Sequence, residues 1–289
     1  MPRPRYLPFE PGPHRHKVGT RTLDPAAWIE LGPDTDAQLV EKRRVLDVHH
    51  DDAFAVLTGP PGPGEDAVRA ASAELLEVLS AHLVATFPDR YAAVPPAAGL
   101  HPLELAARLV PEDLCLHLPG DDGVLRLVAA CVAFPSRWSL REKLGQAVGE
   151  IHSPVPGYDP AIRGPVDQLL DRLPPGRVLW RLNGSLLDDP ALFQPAGPAR
   201  HRGVRVPEGV VLRTERQTLR RLPRTGAVVF TIRTFVDPLA VLADDPAACA
   251  QVAGWLRGLP GATAGYKGLE HSGPAVLEWL DERAVHPIG

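Results

Sequence analysis

Several groups of residues have types and spacings that could do chemistry. The most specific is Lys143-Leu144-Gly145, then Gly149, then Ile151-His152-Ser153-Pro154-Val155-Pro156. If one helix persists to its last turn, Gly145, Gly149 and His152 share a face, at i, i+4 and i+7. Two missing side chains beside an imidazole leave a flat slot. A porphyrin needs that shape, and the imidazole offers a nitrogen to its iron. The two prolines beyond would stiffen the loop that carries His152. A capped helix ending in a surface histidine fits the same residues.

A second group is the run of arginines at 213, 216, 220, 221, 224 and 233 in a chain whose net charge is −4. The planar guanidinium fork bonds both oxygens of a carboxylate, and haem propionates are carboxylates. On an extended strand Arg213, Glu215, Gln217 and Leu219 face one way, and Thr214, Arg216, Thr218 and Arg220 the other. A solvated strand face reads equally well. A third group, His50-x-Asp52, is the start of a two-histidine, one-carboxylate iron site that His117 or His201 could complete; a solvated polar loop is the plain alternative. Gly59 to Gly64 has the glycine spacing of a phosphate loop. Glu65 and Asp66 stand where lysine and serine or threonine are required, and would repel a phosphate. A turn opening an acidic helix N-terminus accounts for it better.

The elements that must position these groups can be traced from hydrophobic period. Residues 1–40 read as a proline-rich lead-in with a short helical stretch. Phe54 to Leu57 is a short apolar run. Val68, Ala71, Leu75, Leu79, Leu83 and Phe87 follow a helical period. Leu114, Leu116 and Leu118 alternate, and with Leu125 to Phe134 they predict a hairpin across Pro119–Gly123. Ser139 to Glu142 fits a capping box, opening a helix that should stop near Ile151 because Pro154 disfavours helix at Ser153. A second short helix is expected over 166–173. Val178, Trp180 and Leu182 alternate with Leu179, Arg181 and Asn183. Val211 to Leu222 and Ala227 to Val236 flank Leu222-Pro223-Arg224-Thr225-Gly226 and should pair as a hairpin. Short links favour an antiparallel sheet. Helices on such a sheet give an α+β fold, and the order of elements is that of a PAS-like core.

Composition narrows the classes. The chain has 289 residues, enough for a core that encloses a cofactor. The acidic balance gives no support for nucleic-acid binding. No apolar leader opens the sequence, and no uncharged apolar run is long enough to span a membrane. Three scattered cysteines fit a reducing, cytoplasmic setting and are too few for a usual iron–sulfur cluster. No C-x-x-C-H is present for covalent haem, and no G-x-G-x-x-G follows a strand.

Taken in order, Phe134-Pro135-Ser136-x-Trp138, Lys143-Leu144-Gly145, Ile151-His152-x-Pro154-Val155-Pro156, Glu215 to Pro223, Phe230-Thr231-Ile232-Arg233 and Tyr266-Lys267-Gly268 resemble the signature blocks of the haem-dependent oxidative N-demethylases. The resemblance covers most of the chain from about residue 40. It implies a PAS-like fold holding haem b without a covalent bond, and oxygen-dependent demethylation of a small amine. It makes His152 the candidate proximal ligand, with Gly145 and Gly149 beside the ring, and Arg216, Arg220 and Arg233 the candidate propionate or pocket arginines. Glu215 and Gln217 become candidates for substrate contact, with Tyr266 and Lys267 as weaker pocket candidates. The electrons would come from a separate flavin/iron–sulfur reductase. One block departs: the family's Arg-x-Asn-Trp reads Arg181-Leu182-Asn183-Gly184, so a pocket wall could be reshaped. A single haem-binding domain is expected over 1–289, mainly helical to 110, PAS-like over 111–240 and helical from 241. A haem-PAS sensor without turnover and a non-haem iron oxygenase built on His50 and Asp52 are the alternatives.

Overall fold

A computed structural model describes residues 3–92, 99–195 and 204–285, the side chains of 159–161 excepted. The alternating segments form strands: β3 is Asp113–Pro119, β4 Leu125–Cys131, β5 Val178–Leu187, β6 Val211–Arg221 and β7 Val228–Pro238. Two three-residue strands, β1 at Arg21–Leu23 and β2 at Phe54–Val56, pair with β5 and β4. The result is one seven-stranded antiparallel sheet in the order β1-β5-β6-β7-β3-β4-β2. Both edges therefore come from the N-terminal segment, which is not purely helical. The fold is α+β, as the order of elements predicts.

Ten α-helices accompany the sheet among the described residues: α1 Thr35–Val48, α2 His50–Ala53, α3 Glu65–Thr86, α4 Pro102–Leu109, α5 Leu140–Lys143, α6 Val148–His152, α7 Tyr158–Arg172, α8 Pro246–Arg257, α9 Gly261–Tyr266 and α10 Gly273–Val285. The apolar stripe of α3 (Val68, Leu75, Leu79 and Leu83) is buried with Leu114, Leu116, Ala129 and Val229 of the sheet. On the opposite face Leu170 and Leu173 pack on Leu179 and Val228. Helices α8 and α10 build a separate cluster with Leu186 and Leu212. The β6–β7 turn is held from α3: buried Glu74 accepts from the amides of Arg224 and Thr225 at 2.7 and 2.8 Å.

The segment after β4 departs from the helix expected there. Ser139 makes no side-chain cap bond, and α5 ends after one turn. The chain then turns through Gly145, at φ +80°, and the Gly145 amide donates to Leu127 O of β4 at 2.8 Å. Pairing with the strand competes with helix continuation, and a left-handed glycine makes the turn cheap. The second helix starts eight residues before the expected Val166, at Tyr158, and carries Pro165 inside it.

Charged side chains knit the N-terminal helices to the sheet. Arg216 pairs with Glu30 at 2.8 Å and donates to Trp28 O at 3.2 Å. Arg233 donates to Glu30 O at 3.2 Å, to Asp34 at 2.7 Å and to Gln38. Lys42, fully buried on α1, donates to the carbonyls of Val110 and Glu112 and lies 3.8 Å from Asp113. Asp113 in turn accepts from the amides of Ala133 and Phe134 at 2.9 and 3.0 Å. Burial pushes the Asp113 carboxyl up to about 6, with Lys42 opposing.

Two measurements test this framework. Arg216→Met leaves Glu30 with only Tyr6 and Arg5. Removing one partner of a buried pair costs about 3–5 kcal/mol, so urea unfolding should show a loss of about 3 kcal/mol. An unchanged midpoint would remove Arg216 from the framework. The second concerns His117, whose imidazole is pushed down to about 4 by burial. Unfolded histidine binds a proton below about 6.5, whereas the buried ring does not until about 4. Its contribution to stability is therefore intact above 6.5 and lost as pH falls through that window. His117→Gln should lack this slope, which approaches about 1.4 kcal/mol per pH unit. Parallel slopes in the two proteins, from urea unfolding between pH 7 and 4.5, would show that His117 titrates normally.

Candidate functional site

Strand register sorts the candidates onto two faces. Arg181 lies opposite Gln217, Asn183 opposite Glu215, and Ser185 opposite Arg213. Across β6, Gln217 lies opposite Ile232 and Glu215 opposite Thr234. These side chains share one face. Arg216, opposite Arg233, and Arg220, opposite Val229, share the other. On that face Arg216 and Arg233 are spent on the N-terminal helices, and Arg220 lies over the Trp28 ring at 4.5 Å. The three arginines expected to meet propionates are thus separated by the sheet from Glu215. Their alternation was legible in the sequence, whereas the partners on each face were not.

Glu215 is the polar centre of its face. Its Oε2 accepts from Gln217 Nε2 at 2.9 Å and from Asn183 Nδ2 at 3.3 Å. Arg181, Arg213 and Lys267 are all held below their ordinary basicity by burial, with the Glu215 charge opposing in each case. Tyr266 is half-exposed, and burial and then Glu215 push its phenol up. Arg213 is committed to structure: it donates to Phe134 O at 2.6 Å and to the carbonyls of Ala191 and Leu192 at 3.3 Å. Lys267 donates to Gly184 O at 3.1 Å and Ser185 Oγ at 3.3 Å. Arg181 makes one long bond, to Val18 O at 3.4 Å. Thr234 Oγ1 is buried without a hydrogen-bond partner among the described residues.

His152 ends α6. Its Nδ1 lies 2.8 Å from Val148 O, so that nitrogen carries the proton and donates, which leaves Nε2 with its lone pair. The ring stacks on Tyr158 at 4.9 Å with planes 16° apart. The residue is exposed as a whole, yet desolvation of the ring is the largest cause lowering its basicity, and Arg181 adds to it. A neutral imidazole with one nitrogen fixed and the other free suits a haem iron. The glycine slot is not part of this arrangement. Gly145 lies in the turn before α6, and a Cβ on Gly149 would stand 2.5 Å from Arg163 Nε.

The His50 group is organised differently. His50 Nε2 lies 3.2 Å from Glu104, and His117 Nδ1 faces Val228 O at 3.4 Å. Among the described residues no three His, Cys, Asp or Glu side chains are grouped to hold a metal ion. His201 lies outside the described residues.

A family model described as haem-dependent oxidative N-demethylase, alpha subunit-like, matches residues 19–277. The chain belongs to that family. No described helix is long and apolar enough to cross a membrane.

The family block that departs, at Gly184, does not open a void. A Cβ there would meet Phe9 Cε1 and Cζ at 3.0 Å and Pro8 Cγ at 3.1 Å. Phe9, fully buried, fills the space and sets its ring edge-on to Trp255 at 4.8 Å. The residues around it therefore form a strap across β5 and are no mere lead-in. Beside the strap is a cavity of about 560 Å³ whose walls include Lys17, Arg181, Asn183 and Lys267. His14 also lines it, with Nε2 buried and unpartnered among the described residues. Sequence reasoning passed over the strap because its residues show neither helical nor strand period. The apolar Tyr6, Leu7 and Phe9 among prolines were the available signal.

Phe9→Ala should cost about 3–5 kcal/mol, as for a large ring removed from a core. Gly184→Ala should also destabilise, and the Phe9→Ala/Gly184→Ala pair should lose less than the sum, because the added methyl then has room. Additive losses in urea unfolding would show that the two positions do not share that space.

Proposed function

We propose that this chain is the haem-carrying subunit of an enzyme that oxidises a small amine, removing an N-methyl group with release of an aldehyde. Beside family membership, the observation that carries the reading is His152, with Nδ1 engaged by Val148 O at 2.8 Å and Nε2 free of any described partner. When bound there, haem b would supply dioxygen activation and the two-electron oxidation of the carbon next to the substrate nitrogen. This chain's residues do the rest. His152 holds the group through Nε2, and Tyr158 stacking fixes the ring plane. Phe230 and Ile232 of β7 offer apolar sheet surface on the Glu215 face. Glu215, oriented by Asn183 and Gln217, pairs with the substrate ammonium. Once a carbinolamine has formed, Glu215 takes its hydroxyl proton as the carbon–nitrogen bond breaks and passes that proton to the departing nitrogen. Tyr266 borders the same face. Arg216, Arg220 and Arg233 have no part in this assignment.

Electron supply is assigned to a separate flavin/iron–sulfur reductase. Cys115, Cys131 and Cys249 are each buried, and burial raises all three thiols, so none is a ready cluster ligand or redox thiol. We assign the protein to the cytoplasm on the same free, buried thiols.

Purified protein should show a Soret band from haem that acid–acetone extracts. His152→Ala should lose that haem or shift the band while circular dichroism stays unchanged, and His50→Ala should leave the spectrum as it was. NADPH and dioxygen alone should give no aldehyde until a reductase is added. A folded wild-type protein, expressed with ample haem and lacking the Soret band, would end this reading; wild-type ligation in His152→Ala would move the ligand elsewhere.

A further inference from the structure

The cavity beside the strap is markedly cationic. Arg15, Lys17, Arg21, Arg181 and Lys267 line it, against Glu10 as the one acidic wall residue among the described residues. Glu10 is already paired with Lys17 at 2.8 Å. The remaining four cations are in no ion pair among the described residues. Arg15, Lys17 and Arg21 are exposed and can be balanced by water and salt. Arg181 and Lys267 are not so free, for both are desolvated enough to lose basicity.

Lys267 has its two acceptors in Gly184 O and Ser185 Oγ. Arg181 has five N–H donors and, among the described residues, uses one, at 3.4 Å. Arg181 is part-buried on the cavity wall, and the group that best fills a guanidinium fork in such a place is a carboxylate, through two parallel bonds. The fork lies near the amine-binding carboxylate assigned above. Arg181 is opposite Gln217, two residues from Glu215 along β6, so Arg181 and Glu215 are diagonal neighbours on one sheet face. Such neighbours stand roughly 7–8 Å apart at the backbone. Asn183, which lines the cavity, donates to Glu215 and joins the two poles.

We infer that the substrate is a dipolar one: an N-methylated amino acid, its ammonium toward Glu215 and its carboxylate on Arg181 in the strap cavity. This rests on the amine-oxidation reading above and narrows it. A simple dialkylamine satisfies Glu215 and leaves Arg181 unfilled. Methyl removal from N-methylglycine would consume one dioxygen, two reductase electrons and two protons, and give glycine and formaldehyde with the second oxygen atom leaving as water.

The shared chemistry, a carboxylate on Arg181, has a second source in the propionates of the haem itself, and the test separates them. Isothermal calorimetry on the haem-loaded protein would compare N-methylglycine with dimethylamine, in wild type, Arg181→Gln and Arg181→Lys, with the haem-to-protein ratio measured on each. N-methylglycine should bind wild type at least tenfold more tightly than dimethylamine. Arg181→Gln should abolish that preference, leaving dimethylamine within about twofold and the haem ratio unchanged, and Arg181→Lys should restore part of it. Equal binding of the two amines to wild type would overturn the inference. So would an Arg181→Gln protein that loses haem in step with binding, since the carboxylate served would then be the cofactor's. The Soret band reports separately on the haem reading. Protein without haem that still prefers N-methylglycine through Arg181 would sink the oxidase and keep the dipolar site.

Discussion

Much of this structure follows from one buried pair, Arg216 with Glu30, acting through the period of a β-strand. Successive side chains of a strand point to opposite faces. Once Arg216 is drawn beneath the N-terminal helices by Glu30 and the carbonyls of Ala27 and Trp28, Glu215 and Gln217 must face the other way. Arg233 repeats the constraint on β7. A slip of one residue in β6 would bury Glu215 among apolar helices and leave Arg216 on the site face. Register is therefore protected by charge as well as by the hydrophobic pattern. One sheet thus carries two unlike surfaces, one bound by charge to the N-terminal segment and one that presents Glu215 and Gln217 beside the helix that carries Leu170.

The site face is unusual in its charge balance. One carboxylate, Glu215, is felt by Arg181, Arg213 and Lys267, and each of those is weakened as a base by burial. In such surroundings Coulomb interactions are several-fold stronger than in water. Arg213 is immobilised on three backbone carbonyls and behaves as a fixed positive charge. Asn183 and Gln217 both approach one oxygen of Glu215, so the carboxylate is oriented before any ligand arrives. The site is preorganised by neutral donors, while the cations set its potential.

The central strands were legible because their signal is local. Leu114, Leu116 and Leu118 alternate, and Pro223 with Gly226 marks the β6–β7 turn. The face assignment within β6 was legible for the same reason. The long helix over 140–151 was misread because the competing interaction is not local: Gly145 and Gln146 pair with Leu127, some twenty residues earlier. Apolar period cannot anticipate a backbone bond to a distant strand. The three-residue edges at Arg21 and Phe54 are too short to show any period. His152 was legible as a residue, whereas its setting against Val148 O and Tyr158 came only with the short helix that holds it. The protein partners of Arg216 and Arg233 were not legible, because an arginine reads the same in sequence whether it meets a propionate or Glu30.

Phe9 occupies the volume above Gly184, so the aromatic ring over this part of β5 comes from the strap and not from the strand. Phe9 and Gly184 are far apart in sequence and adjacent in space. A ring rooted in the strand is fixed by its own backbone; a ring delivered by the strap holds only while the strap is docked. Closure of this flank of the sheet is therefore a tertiary contact, and the cavity wall and the ring that seals it belong to the same strap.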